Sequence, residues 1–522
     1  MKQTLPDKVV SYFNPMKGLQ RKAAREVAES IYNVRGTNAQ TRNYRPNYPT
    51  NPNLNVSIEL EEAQNRASGL YFENPIASGI INAMVDGSIG SGLVLQSVVR
   101  TLLLSDVQKE KIVQNQRLIE EMWHIWSTTP SMCDHYGKQT FGGLQREAFI
   151  DSARNGDVLQ RIKIVRVGGL YLPQIQNISG KSVKSPNFSD NAKIAGGVVL
   201  DSNGRETGYR IETATGGDMQ TVNIEVPKFG GQSRRLMYNL VAVGTVVPGQ
   251  VRGRSILTRV AEQIIQIGRY SEAELVKAIL QSYMTIFIET AAEADELGDG
   301  NPIDSLVEAS RNTISHVDPA GVQIEEDEVD DQITLGPGAI WNLRPGQKAN
   351  LPESKSPVEQ FWQFMEANLK LIGMSVGIPY EVLIKSFNAS YSASQASIQD
   401  AARGWKILTT EFASKYCQPV YEQFVELLVR QGLLDCPKFD KGLFFQKAWT
   451  GAEWYGPVVL NIDPVKNARA SELLIKNQLS TRTIESRKYG NDFDTDIKVL
   501  GEEQRMAEAN LGAPANEEEK DE

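Results

Sequence analysis

The nineteen residues Phe387–Trp405, FNASYSASQASIQDAARGW, hold four serines and five alanines. A Ser/Ala-rich stretch of this kind ordinarily reads as a flexible linker. This one has no proline, and its second half carries helix formers that run on into an amphipathic pattern. Ile398, Ala402, Trp405, Leu408, Phe412 and Tyr416 fall on one helical face, and Val420, Phe424, Leu427 and Leu428 continue it. Pro419 sits inside that pattern. A proline removes a backbone bond and kinks a helix, so the spacing predicts one long helix with a bend or two abutting helices. The helix begins with a face of small residues, which raises the question of what lies against it.

Upstream, SPVEQFWQFMEANLKLIGMSVG predicts another helix with Pro357 near its first turn. Residues 291–355 lose periodicity; they contain the acidic run IEEDEVDDQ, and AIWNL reads as a short strand between turns. Before them, Leu257, Val260, Ile264 and Ile267 form a stripe, and SEAE at 271–274 reads as a capping box, leaving one helix or two open. From Asp157 the period changes to that of strands: DVLQRIKIVRV, GGVVLDSNGRETGYRIE and TVNIEVPKF, with turns such as SNG between them. Helices dominate 59–150. Asn74-Pro75 is a helix start, DGSIGSG stops that helix and feeds the strand LVLQS, and a further helix ends at Gly156. Between them, Ile112, Leu118, Met122, Ile125 and Trp126 sit roughly at helical spacing. Residues 1–57 combine a basic helical patch with a Pro/Asn/Tyr-rich arm. At the other end, two helices follow WTGAEWYGPVVLNIDP, and the polar NEEEKDE tail reads as disordered.

The chain has 522 residues, 41% hydrophobic and 23% charged, with a net charge of -9. Its length suggests about three domains or one elongated molecule. No apolar run is long enough to span a membrane, and the N-terminus lacks the pattern of a secretory signal. Three widely spaced cysteines suit a reducing compartment without a disulfide framework. The negative charge argues against a tight, sequence-independent grip on nucleic acid.

Catalytic chemistry is sparse. There are three histidines. Cys133-Asp134-His135 has metal-ligand residue types but no second Cys/His pair to complete a site. NISGKS at 177–182 lacks the first glycine of a phosphate loop, and no G-x-S-x-G elbow exists. The carboxylates fall mostly on helix faces or in the acidic run, where solvation is their ordinary role. The inventory points away from an enzyme, and it implies no cofactor and no metal.

The order of elements resembles the lambda family of phage portal proteins over nearly the whole length. The residues that carry the resemblance are RASGLYFENPIASGIINAMVDGSIGSGLVLQ, WHIWSTTPSMCDHYGKQTFGGLQREAFIDSARNGDVL, VPGQVRGRSILTRV with YSEAEL, MSVGIPYEVLIKSFNASYSASQASI, and WYGPVVLNIDPVKNARA with IKNQLSTRTIESRKYGNDF. One departure is MYNLVAVG before VPGQ, where the family pattern leads us to expect a His. The resemblance implies an α+β, mainly helical portal fold assembled into a ring of about twelve subunits at one capsid vertex. Double-stranded DNA is packaged through that ring by the terminase motor and later ejected, without sequence specificity.

It further implies an N-terminal arm (1–57), a wing, helical then β-rich (58–254), a first stem helix region (255–290), a clip (291–355), a second stem helix (356–382), a tunnel loop (383–391), a long kinked helix (392–432), a return segment to the wing (433–465), and a crown with an acidic tail (466–522). The implied partners are the terminase large subunit, the major capsid and scaffolding proteins, and head-completion or neck proteins, with no membrane. The implied location is the virion, with the host cytoplasm during assembly. Candidate channel-lining residues are Lys385, Asn388, Ser390, Tyr391, Ser392 and Ser394, small or polar groups that hydrate a sliding duplex without fixing it. Close packing of the small residues between neighbouring helices is the alternative. Candidate clip residues for a basic partner are Glu325, Glu326, Asp327, Glu328, Asp330 and Asp331, against the plainer reading of a solvated loop. Another capsid or neck component without a DNA-conducting role, and a nucleotide-dependent enzyme, are the competing function classes.

Overall fold

Asn74 caps a helix as its sequence context predicts. Its side-chain oxygen accepts from the amides of Ile76 and Ala77 at 2.9 and 3.4 Å, and Pro75 fills the first turn, where no amide is needed. In the computed structural model this helix, α2, runs Pro75–Ser88 and follows α1, Val56–Glu73. Gly90 and Gly92 then take φ of 58° and 131° and turn the chain into β1, Val94–Ser97. The structure describes residues 53, 56–185, 190, 193–214, 221–244, 247–283, 287–288, 341–342, 360–387, 390–457, 463–489 and 493–511. The acidic residues Glu325 to Asp331, Asn388 and nearly all of the expected arm and clip therefore lie outside the described residues, as does the NEEEKDE tail.

The two longer helices that follow in the N-terminal part are α3, Lys109–Thr128, and α4, Phe141–Asn155, the latter stopped by Gly156 at φ 99°. The buried face of α3 is Ile112, Asn115, Ile119, Trp123 and Trp126. Leu118 and Ile125, expected in that stripe, are exposed. The stripe is displaced because a polar residue with a partner counts as inside: Asn115 donates to the Asp435 carbonyl at 2.7 Å.

The β-rich part holds two antiparallel sheets. In the first, β2 (Val158–Val167) lies between β3 (Leu170–Ser179) and β8 (Tyr238–Val241), with Leu159 opposite both Ile178 and Leu240. The second runs in the order β4 (Ile194–Ala195), β5 (Val198–Leu200), β6 (Glu206–Ala214), β7 (Thr221–Pro227). Leu159, Val183, Val198, Tyr209, Ile211 and Tyr238 form one core joining strands of both sheets. Strands β3 and β8 were not anticipated. β3 carries Pro173, which cannot donate to a ladder and is tolerated because β3 is an edge strand.

A buried ion pair ties this region to the chain that leaves it. Arg252 and Asp157 meet in a two-pronged contact at 2.7 and 2.8 Å, both side chains essentially without solvent contact. The remaining guanidinium hydrogens go to the carbonyls of Val183 and Gly180, at 2.7 and 2.8 Å, and of Gly196. Asp157 also accepts from the Gly253 amide at 2.9 Å. All five guanidinium protons find acceptors and both Asp157 oxygens accept, the kind of satisfaction such a buried pair requires to be tolerated.

The chain divides into two compact units, one of residues 265–368 and one of the rest. In the smaller unit, Tyr270 of α5 (Ala261–Tyr283) packs on Phe361 and Phe364 of α6 (Gln360–Val376), with ring centroids 5.5 and 4.6 Å apart. α5 continues through 271–274, so the SEAE box restarts nothing and the segment is one helix. β9 (Phe287–Ile288) pairs in parallel with β10 (Trp341–Asn342).

The larger unit is closed by the last third of the chain. Helix α7 (Tyr380–Leu383) precedes α8 (Tyr391–Phe412) and α9 (Gln418–Arg430), and β11 (Ala452–Tyr455) pairs antiparallel with β1, Tyr455 opposite Val94. Trp123 is ringed by Phe141, Tyr421, Phe424 and Trp454 at 5.3–5.7 Å, so residues from the two ends of the larger unit's sequence share one aromatic core. Helices α10 (Leu443–Trp449), α11 (Pro464–Lys476), α12 (Arg482–Lys488) and α13 (Phe493–Leu511) follow in the chain. No helix among the described residues is long and apolar enough to cross a membrane.

Candidate channel-lining segment

The segment begins at a turn that glycine makes possible. Gly377 takes φ 73°, and the Ile378 amide returns to the Gly373 carbonyl at 2.9 Å, ending α6. Ile378 is buried, Pro379 opens the short helix α7, and the Ser386 amide closes onto the Glu381 carbonyl at 3.1 Å. Lys385, in that turn, has φ 53°, a left-handed conformation uncommon for a lysine, and its side chain is exposed.

Ser390 caps α8. Its hydroxyl accepts from the Ala393 amide at 3.4 Å and lies 3.2 Å from the Ser392 hydroxyl. Ser397 donates to Glu381 at 3.2 Å, fastening α8 to α7. The first turns of α8 then divide into two faces. Ser392, Ala393, Ala396, Gln399, Asp400 and Arg403 are exposed, at the i, i+4, i+7, i+11 spacing of one side of a helix. Arg403 pairs with Asp400 at 2.7 Å in open solvent, so this face is nearly neutral.

The opposite face is occupied. Ser394 is 3% exposed and Ala401 fully buried. A candidate lining residue at 394 is therefore corrected: in this subunit its side chain is enclosed by protein. α2 lies against α8, and here small residues face large ones. A Cβ placed on Gly87 would fall 2.2–2.4 Å from the Trp405 indole, so that ring sits directly on the glycine backbone. Thr409 donates to the Ser88 carbonyl at 2.7 Å. The small residues of the opening stretch thus divide: Ser394 and Ala401 are enclosed within the subunit, while Ser390, Ser392, Ala393 and Ala396 lie on a smooth open face. Ser390, Ser392 and Lys385 remain exposed together with the Gln399 and Arg403 that spacing from Ser392 would have found.

The long helix is continuous but not uniform. Between α8 and α9, Ala413–Cys417 form a π-turn, with the Gln418 amide bonding to Ala413. Pro419 has no amide to offer Lys415, whose carbonyl instead accepts from Asn239 at 2.7 Å. Neighbouring Tyr416 has its carbonyl held by Gln160 at 3.1 Å and its ring stacked on Phe412 at 4.8 Å. Burial pushes the Tyr416 hydroxyl well above its ordinary range.

The Cys133-Asp134-His135 cluster is structural. Asp134 is buried, and its oxygens accept from the amides of Tyr136, Lys138 and Gln139 at 2.8–3.1 Å. Burial first, then the Asp134 carboxylate, pushes the Cys133 thiol up to about 12, away from the thiolate a metal needs. Cys133, Cys417 and Cys436 are all buried free thiols.

The sequence profile described as "Phage portal protein, lambda family" matches residues 37–408, and the chain belongs to that family, which is structural in character. Portal protein B of Escherichia phage lambda is 23% identical over 436 residues, covering 82% of this chain and 80% of that protein. The portal protein of Escherichia phage N15 is 23% identical over 460 residues, covering 86% and 85%. Among solved structures, a chain of the native gene transfer agent virion has TM-score 0.38 and 12% identity, covering 83% of this chain and 93% of that one. A chain from the neck of the same native particle has TM-score 0.40 and 12% identity, covering 81% and 92%. These structural likenesses are distant; the assignment rests on the sequence match.

Proposed function

We propose that this chain is the subunit of a closed ring, of about twelve copies, forming the DNA channel at one capsid vertex. The observation that carries it is the family match across residues 37–408. The separate unit of residues 265–368 supports reading 255–290 and 356–382 as stem and 291–355 as clip. Leu275 and Trp362 within it are 61% and 72% exposed, and large apolar side chains left open in one copy suit lateral contact with the next. In this reading the exposed face of α8, from Ser390 and Ser392, lines the bore, with Lys385 in the turn before it, and Asn388 and Tyr391 remain candidates for the same role. Neutral, small groups there let phosphates slide, because few counterions are released by contact.

The ring docks the terminase large subunit and, later, head-completion or neck proteins. The acidic clip residues 325–331 offer a contact to basic surfaces, and the capsid and scaffolding proteins surround the wing. The protein acts in the virion after assembly in the host cytoplasm. It performs no catalysis, so purified rings hydrolyse no ATP without the motor. Electron microscopy of end-on particles, with native mass measurement, tests the reading. A closed ring with an open centre is expected. Stable monomers or dimers at high protein concentration overturn it.

A further inference from the structure

A cavity of about 260 Å³ lies between α1 and the segment 250–261. Leu60, Ala63, Ala67 and Leu257 give it apolar walls, while Arg254 and the pair Arg66–Glu62, 3.1 Å apart, also line it. Asn53 is bound at its edge: its side-chain nitrogen donates to the Gly249 carbonyl at 2.8 Å, and its side-chain oxygen accepts from the Val251 amide at 3.0 Å. Gln250, between those two partners, lines the cavity. One asparagine amide thus clasps the backbone beside the opening and fixes there the end of a 52-residue stretch of chain.

The nearest part of that stretch is YRPNYPTNP, residues 44–52. Pro46, Pro49 and Pro52 each bring a ring that locks one backbone dihedral in any chain, so less entropy is lost on docking than for a stretch without them. Tyr48 stands five residues before Asn53, a reach of about 17 Å in extended chain. A tyrosine suits the walls: its ring fills apolar space, its hydroxyl finds polar groups, and guanidinium groups favour an aromatic face. We propose that this cavity is a socket for Tyr48 of the chain's own N-terminal arm, which would strap α1 to the segment leading out of the β-rich part. The inference is independent of the DNA channel.

Disulfide trapping in assembled full-length protein tests it. The pair Tyr48→Cys with Ala63→Cys, mildly oxidised, should form an intramolecular cross-link at least about tenfold above the control pair Tyr48→Cys with Leu102→Cys. A yield no higher than control overturns the proposal. Cross-links joining different subunits also overturn it, assigning the socket to a neighbouring copy's arm. A second measurement needs no change near the core: trypsin cleavage after Arg42 should be about tenfold faster in Tyr48→Ala than in the wild type. Equal rates overturn the proposal.

Discussion

The buried amide of Gln160 donates to the main-chain carbonyl of Tyr416 at 3.1 Å, across 256 residues of sequence. Pro419 leaves the Lys415 carbonyl without its helical partner, Asn239 takes that carbonyl, and Gln160 holds the next one along. Gln160 belongs to β2, so the central strand holds the π-turn of the long helix in place. Replacing it by Met keeps the shape and removes the donor. Gln160→Met is expected to cost about 1–3 kcal/mol, the usual penalty for an unpaired buried polar group. Asn239→Ala should cost a similar amount, and the pair should be non-additive, since Asn239 lies 3.4 Å from the Gln160 side-chain oxygen. Urea unfolding of the two single variants and the double variant measures this.

Arg252→Met leaves Asp157 charged in a place without solvent. We expect a loss of about 3–5 kcal/mol, enough to reduce soluble yield. Adding Asp157→Asn should recover part of it by removing the stranded charge. A denaturation midpoint unchanged by Arg252→Met would show that the pair contributes nothing net.

Ser392 and Ser394 separate the open and the enclosed small residues. Ser394→Trp overpacks an enclosed site and should cost about 1–3 kcal/mol of subunit stability. Ser392→Trp, on the open face, should leave the thermal midpoint within about a degree of wild type while DNA packaging falls. Normal packaging by Ser392→Trp rings argues against a lining role for that face.

Glu426 supplies a pH-dependent element. Burial would raise its carboxyl, but hydrogen bonds from Arg235 and Arg430 outweigh that and hold it below the ordinary carboxylate range. A carboxyl depressed in the folded state contributes stability that is present above its unfolded value, about 4.3, and lost as pH falls through the folded one. The thermal midpoint difference between wild type and Glu426→Gln should therefore be full at pH 7 and shrink steadily below about pH 4.5. A difference that stays constant to pH 3 removes the ion pairs as its cause.

Much of the helical part was legible because its signals are local. Asn74-Pro75, Gly156 and the 257–260–264–267 stripe each act within a turn or two of chain. The portal fold itself was legible from several motifs in order. Other features depend on partners far away in sequence. Nothing beside Asn115 announces that Asp435 will receive it. Pro173 argues against a strand until the strand is known to sit at an edge. Arg252 and Asp157 are ordinary surface residue types until the fold encloses them. In the candidate channel-lining stretch, composition identified the small residues, but only packing against α2 and α7 divides Ser392 from Ser394.

The aromatic core has a consequence for how the protein is made. Trp123 and Trp126 emerge from the ribosome early, yet Tyr421, Phe424 and Trp454 that cover them come some three hundred residues later. β1 likewise waits for β11, its partner at Ala452–Tyr455. At typical synthesis rates of about 5–20 residues per second, that surface stays uncovered for roughly 15–70 seconds. A nascent chain therefore cannot present a finished larger unit to a neighbour. In the proposed ring, a truncated product that ends before Tyr421 would lack the cover of Trp123 and Trp126 and the partner of β1, and so could not offer a finished larger unit to its neighbours.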